Sequence, residues 1–334
     1  MKIKAYAAMA AGEKLQPYEY EVGALAADEV EIAVEYCGVC HSDLSMLNNE
    51  WGASKYPLVA GHEVAGRISA VGSQVSQFKQ GDRVGLGWHS GYCNHCNICL
   101  GGDHNLCDSA QATIVHHHGG FADKVRAQAT SVVKLPEGLS SEVAGPLFCG
   151  GITVFNPIVQ FDIKPTDKVA VVGIGGLGHL AVQFLSKWGC EVTAFTSTEA
   201  KRQEALALGA SRTLNSADKN DIKGAKNYFD FIIVTVNVSL PWHDFVKTLR
   251  PKGRLHFVGA LLEAVPVNIM ALMEAQRSIS SSPVGSPAVI AQMLEFAVRH
   301  NIQPQVEVFP MEEVNAALEH LEAGKARYRV VLKR

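Results

Sequence analysis

Lys168-Val169-Ala170-Val171-Val172 runs directly into Gly173-Ile174-Gly175-Gly176-Leu177-Gly178. After Lys168 the run is apolar and rich in β-branched residues, with no polar alternation, as a strand buried on both faces requires. The next six residues spell G-x-G-x-x-G, and Leu180, Ala181, Phe184 and Leu185 then recur at helical spacing. Strand, glycine turn and helix in that order predict a dinucleotide-binding unit. Gly173 permits the tight turn, Gly175 lets the backbone approach a pyrophosphate, and Gly178 lets the helix pack closely on the strand. Gly176 and Leu177 complete the loop, and the helix N-terminus beyond it offers free N–H groups to the phosphates. Without the flanking strand and helix, the same glycines would be only a turn.

Working outward towards the C-terminus, Val192-Thr193-Ala194-Phe195 reads as the second strand, and Lys201 to Leu208 as a helix stopped by Gly209. Phe229 to Thr235 and Arg254 to Gly259 are further buried strands. Strands alternating with helices predict an α/β, doubly wound parallel sheet. Ala288 to Val298 and Met311 to Leu321 read as helices, and Arg327 to Leu332 as a closing strand. The end of the second strand bears on cofactor choice. An NAD enzyme carries an acid there, on the ribose 2′-OH. Here Phe195 is followed by Thr196, Ser197 and Thr198, then Glu199, Ala200, Lys201 and Arg202. Hydroxyls and a cation suit a 2′-phosphate, so Thr196, Ser197, Thr198 and Lys201 are the expected NADP(H) contacts. Glu199 comes one step late and could pair with Arg202 instead. Thr198 can also serve as a helix N-cap.

Working outward towards the N-terminus, the first 135 residues look mostly β and irregular, and the composition changes at Leu135-Pro136. Glu29 to Glu35 alternates acidic and apolar residues, as a half-exposed strand does, and helical patterns run from Ser140 to about Gln160. At 334 residues the chain has room for two domains, and its net charge of −3 gives no electrostatic case for nucleic acid or an anionic membrane. No apolar run approaches the ~18 residues of a membrane-spanning helix, and the polar start does not resemble a signal peptide, so a cytoplasmic protein is expected. Residues 84–107 are dominated by glycine, cysteine and asparagine, a loop that needs something other than a hydrophobic core to hold it. Of eight cysteines, Cys93, Cys96, Cys99 and Cys107 fall in this loop. Four thiolates close a tetrahedral shell and predict structural zinc, with an iron–sulfur cluster or free thiols as the alternatives. Cys40, His62 and Cys149 remain for an open site, in which three protein ligands leave a fourth position free. Cys37 and Cys190 are expected to be packing residues. His116-His117-His118 reads as a surface loop, because consecutive residues do not easily converge on one ion.

Several of these stretches together resemble the medium-chain zinc alcohol dehydrogenases. They are Gly38-Val39-Cys40-His41-Ser42-Asp43, Gly61-His62-Glu63-x-x-Gly66 with Gly72 and Val75, the four-cysteine loop, and Pro146-Leu147-Phe148-Cys149-Gly150-Gly151-Ile152-Thr153. The resemblance covers essentially the whole chain in order. It is greatest to the cinnamyl alcohol dehydrogenase branch, which Ser282-Pro283-Val284-Gly285-Ser286 and the Tyr328-Arg329 ending fit.

The resemblance implies a GroES-like, β-rich catalytic domain over residues 1–148, completed by 287–334, and an NADP-binding Rossmann domain over 149–286. It implies catalytic zinc on Cys40, His62 and Cys149, with Glu63 beside it and Asp43 orienting His62. Ser42 would take the proton of the substrate hydroxyl, His41 would lie near the pyrophosphate, and Thr153 would approach the nicotinamide. Met46, Trp51, Trp88 and Ala112 would surround the substrate, the two tryptophans forming a wall for an apolar or aromatic tail. Two zinc ions and NADP(H) per chain, a primary alcohol or aldehyde as substrate, and a homodimer are the implied partners. A polyol dehydrogenase, a zinc-free quinone reductase and a catalytically silent relative are the rival expectations.

Overall fold

The computed structural model describes residues 1–334, which divide into two compact units, Met1–Ile152 with Gly285–Arg334, and Thr153–Val284. The first division falls four residues after the expected one, so Cys149 stands wholly within the first unit.

The second unit is built on a six-stranded parallel sheet. Its order across the sheet is Arg212–Leu214, Glu191–Phe195, Lys168–Val172, Phe229–Val234, Leu249–Phe257 and Ser278–Ser281. The glycine-loop strand Lys168–Val172 is central, and the next strands in sequence are laid first to one side of it and then to the other. That reversal of strand order creates the crevice at which doubly wound sheets bind nucleotides. Val169 to Val172 are fully buried, as the unbroken apolar run requires. The helix expected from Lys201 begins earlier, at Glu199, because Thr198 caps it by accepting from the Lys201 N–H at 3.4 Å. The edge strand Arg212–Leu214 has no legible pattern, since all three residues are half-buried.

The first unit centres on a seven-stranded, mainly antiparallel sheet in which Glu29–Val39 is flanked by Glu63–Val71 on one side and Arg329–Lys333 on the other. The C-terminal strand thus lies beside the segment that leads into Cys40, with Val330 opposite Val39. Residues 84–107, expected as an irregular loop, include the end of the strand Arg83–Leu86, the strand His89–Gly91 and short helices at Asn97–Leu100 and His104–Leu106. The Cys93–Cys107 part still has only a small buried cluster of its own, Tyr92, Cys99 and Cys107. No single helix is long and apolar enough to cross a membrane.

Candidate active site

The strand Glu29–Val39 delivers Cys40, which caps the helix His41–Leu47; His62 immediately precedes the strand Glu63–Val71; and Cys149 stands between the turn Gly145–Phe148 and the helix Gly150–Gln160. The ligand atoms of Cys40, His62, Glu63 and Cys149 all lie within 4.8 Å of one another. Asp43 fastens two members of this set and the residue before His62. Its carboxylate accepts from Cys40 N at 2.9 Å and Gly61 N at 2.8 Å, and meets His62 Nδ1 at 3.0 Å. The two ligand-bearing segments are therefore tied to one fully buried acid, a wider role than orienting His62 alone.

The donor set fits a metal ion. With Nδ1 committed to Asp43, His62 presents Nε2, which is buried and meets no hydrogen-bond partner. A buried polar atom without a partner costs about 1–3 kcal/mol, a cost that a metal bond removes. The Cys40 and Cys149 sulfurs are 3.9 Å apart. A tetrahedral shell with Zn–S of about 2.3 Å sets neighbouring sulfurs roughly 3.8 Å apart.

Arg329 is the residue that reading the sequence for this site missed. It forms an ion pair with Glu63, and both side chains are buried. Gly38 makes room for that acid, since a Cβ at this position would fall 1.9 Å from Glu63 Oε2. The glycine two residues before Cys40 and the arginine near the C-terminus are the two signals in the sequence. Their connection appears only once the antiparallel strands bring them together.

Charge in the set is unevenly placed. The contact with Cys149 holds the Cys40 thiol well below the usual range against the opposing effect of burial, helped by His62 and Arg329. That same contact, together with burial, raises Cys149, so Cys40 is the readier thiolate. Burial alone would lower His62, but Asp43 and Cys40 outweigh it and raise the imidazole. Glu63 is raised by burial, with Arg329 opposing the shift.

Ser42 is half-buried, with Oγ 3.8 Å from Cys40 Sγ, and His41 is exposed. Trp88 meets the His62 ring edge-on at 5.0 Å and Trp51 at 6.0 Å. Met46, expected on the substrate wall, has no exposed surface; it belongs to the core, so it can only back that wall. Ala112 is half-buried opposite His89. The histidine run departs from a plain surface loop. Only His116 is exposed, while His117 Nδ1 lies 3.2 Å from the Thr113 carbonyl and His118 packs 4.2 Å from the Tyr20 ring. Cys37 and Cys190 are buried as single thiols, as packing residues are.

Cys93, Cys96, Cys99 and Cys107 likewise converge within 4.8 Å, as free thiols. Their sulfurs are 3.8 Å (Cys93–Cys99), 4.0 Å (Cys96–Cys107) and 3.6 Å (Cys93–Cys107) apart. That spacing fits one tetrahedral ion. An iron–sulfur cluster binds its thiolates through separate irons and would hold them further apart. Cys96 N and Cys99 N donate to Cys93 and Cys96 sulfurs at 3.4 Å each, the loop turning its amides onto its own thiols. Backbone donors, at His95 first and then Cys96, bring Cys93 down to about 6.

In the nucleotide-binding unit, Gly173 adopts φ +92°, and a Cβ on Gly178 would lie 1.9 Å from the Gly173 carbonyl, so the helix can pack this closely only on glycine. A Cβ on Gly175 would meet nothing within 4 Å, leaving open space where a pyrophosphate would approach. His179, buried in the first turn of the following helix, lies 3.0 Å from the Gly175 carbonyl through Nδ1 and braces that loop. Thr196 is buried, with its N–H on the Leu214 carbonyl at 3.0 Å; Ser197 and Thr198 are exposed, and Lys201 is half-exposed. Thr153 is buried, the first residue of its unit.

A glycine-loop doubly wound unit, joined in one chain to a β-rich unit with a closed four-thiol cluster and an open Cys-His-Cys cluster, defines a zinc-type dehydrogenase. The alcohol dehydrogenase GroES-like domain matches residues 26–137, and the zinc-binding dehydrogenase family matches residues 176–299. The chain is 62% identical over 330 residues to aldehyde reductase AdhA of Synechocystis, covering 99% of this chain and 98% of that protein. A cinnamyl alcohol dehydrogenase from Sorghum bicolor has a structure similar at TM-score 0.95 and 36% identity, covering 100% and 98% of the two chains. A cinnamyl alcohol dehydrogenase from Helicobacter pylori, solved with NADP(H), is similar at TM-score 0.92 and 30% identity, with the same coverage. The chain belongs to the medium-chain zinc alcohol dehydrogenases, in their cinnamyl alcohol dehydrogenase-like branch.

Proposed function

We propose that the chain is a zinc-dependent, NADP(H)-linked aldehyde reductase and alcohol dehydrogenase acting on primary alcohols and aldehydes with an aromatic or apolar tail. The observation that carries this reading is the convergence of half-buried Cys40 with buried His62 and Cys149, with His62 Nε2 left open. Cys40, His62 and Cys149 would hold the catalytic ion, and Cys93, Cys96, Cys99 and Cys107 the structural one. Bound at the first set, zinc supplies Lewis-acid chemistry to the substrate oxygen. NADP(H), bound at the glycine loop, supplies the hydride couple.

The chain's own residues do the rest. Asp43 fixes the His62 tautomer and locks Cys40 and Gly61 in place, so the ligands need not reorganise. Glu63 adds a carboxylate beside the set, and Arg329 balances its charge. Ser42 Oγ, next to Cys40, would hold the proton exchanged with the substrate hydroxyl, with His41 carrying it on towards solvent. Trp88 against the His62 ring, with Trp51 packed on Trp88, gives an aromatic wall, which favours an aromatic or apolar tail over a polyol. Gly173, Gly175, Gly176, Leu177 and Gly178 would cradle the pyrophosphate, Thr153 would approach the nicotinamide, and Thr196, Ser197, Thr198 and Lys201 would receive the 2′-phosphate.

We further propose a homodimer in the cytoplasm. The unpaired side of the edge strand Ser278–Ser281, preceded by exposed Ile269, Met270 and Met273, supports a second copy. Four free thiols in one loop suit a reducing compartment. The test is kcat/KM for a panel of aldehydes with NADPH on zinc-loaded protein. Cinnamaldehyde- and benzaldehyde-type substrates should lead small polar aldehydes. A preference for polyols, or no turnover of any aldehyde, would overturn the reading.

A further inference from the structure

The first turns of the helix Glu199–Ala207 carry two cations, Lys201 and Arg202. Each faces the positive end of the helix dipole, the unfavourable end for its charge. Arg202 has compensation. Its Nη1 lies 3.6 Å from Glu199 Oε2 and its Nη2 3.8 Å from Asp221 Oδ2. Asp221 is in turn fixed, with Oδ2 accepting from Asn215 N at 2.6 Å. Asn215 follows Leu214, whose carbonyl accepts from Thr196 N at 3.0 Å. The guanidinium is thus anchored one strand away from Thr196, beside the stretch proposed to receive a 2′-phosphate.

Both carboxylate distances exceed hydrogen-bond length, so charge rather than bidentate geometry holds Arg202. A phosphate offers the paired oxygens that a guanidinium fits best. The Arg202 side chain is 31% exposed, so it is not locked in the core. Against Lys201 and Arg202 stand Glu199 and Asp221, two charges of each sign, with both acids engaged by Arg202.

We propose that Glu199 and Asp221 form a latch on Arg202. A 2′-phosphate draws the guanidinium off the two carboxylates, and the strength of their hold, Asp221's above all, sets how far the chain prefers NADP(H) to NAD(H). This rests on the NADP(H) reading above, in which an acid-free strand end and Lys201 make the first contact.

The test is direct titration of the intact, zinc-loaded protein with adenosine 2′,5′-bisphosphate and with 5′-AMP, taking the ratio of their Kd values as the preference. Wild type should prefer the bisphosphate. Arg202→Ala should reduce the preference about 10-fold, the size of one partly screened charge-assisted contact. Asp221→Asn keeps an acceptor for the Asn215 N–H and should increase the preference roughly 3-fold. Glu199→Gln, at an exposed position safe for folding, should increase it by about half as much. In an Arg202→Ala background, both gains should vanish. Gains that persist undiminished there would mean the acids repel the phosphate directly, and the latch would be overturned. Wild type without preference for the bisphosphate would overturn the NADP(H) reading itself. A wild-type preference that Arg202→Ala leaves intact would overturn the latch alone.

Discussion

The Cys93–Cys96–Cys99–Cys107 cluster and the Cys40–His62–Cys149 cluster gather their ligand atoms within the same 4.8 Å, yet in opposite surroundings. The four thiols lie in a lobe whose neighbouring Ile98, Leu100 and Leu106 are exposed. Their partners are each other and their own amides. The other set is surrounded by Asp43, Glu63 and Arg329, all buried and all paired, Asp43 on the helix that Cys40 caps and the other two on strands of a large sheet. The first site has only a small buried cluster to hold its loop, so metal there serves the fold. The second is held by its protein neighbours, so metal there is available for chemistry. The same ligand types serve different ends because of what stands behind them.

The sharpest way to break this contrast is Cys40→Ala. Turnover with NADPH and an aldehyde should fall by at least ~10⁴-fold, losing several kcal/mol of charge stabilisation, while circular dichroism and the melting profile stay near wild type. Loss of the fold along with activity would erase the distinction between the two clusters.

Arg329→Met asks how far the buried pair supports the open site. Removing one partner of a buried ion pair costs about 3–5 kcal/mol, read as a fall in the denaturant midpoint. Adding Glu63→Gln should recover part of it. A single variant with wild-type stability would mean that Arg329 and Glu63 do not support each other.

Ser42→Ala separates the proton path from the metal set. Zinc content should be unchanged and kcat should drop about 10²–10⁴-fold. Near-normal kcat at neutral pH would leave Ser42 as a turn residue only.

The smallest effect lies in the other unit. Wild type should favour NADP(H) over NAD(H) by at least about 10-fold in kcat/KM, one charge-assisted contact. Thr196→Asp with Lys201→Ala should shrink or reverse that ratio through the cofactor KM. An unaltered ratio would show that this strand end does not choose the cofactor.

What could be read in advance follows from how local each signal is. The strand Lys168–Val172, its glycine turn and the helix after it are contiguous, and their apolar period and glycine positions state the geometry outright. Cys93 to Cys107 is also local, a spacing that one short loop closes. The open site was legible as ligand types, and the family resemblance joined Cys40, His62 and Cys149 across the chain. Arg329 was not legible as a site residue, since its meeting with Glu63 depends on two strand registers. Nor was Met46 as a core residue, because nothing in its neighbours shows which face of a short helix turns inward. The edge strand Arg212–Leu214 was illegible because half-burial at all three positions leaves no alternation to detect.

Zinc per chain, measured by elemental analysis alongside thermal melting, tests the contrast most directly. Fully loaded wild type should carry two zinc ions, and Cys40→Ala should carry one and melt close to wild type. Cys99→Ala should lose the other and melt far lower or aggregate. A wild type saturating at a single zinc, or a Cys99→Ala protein as stable as its parent, would contradict the account of one ion for the fold and one for the chemistry.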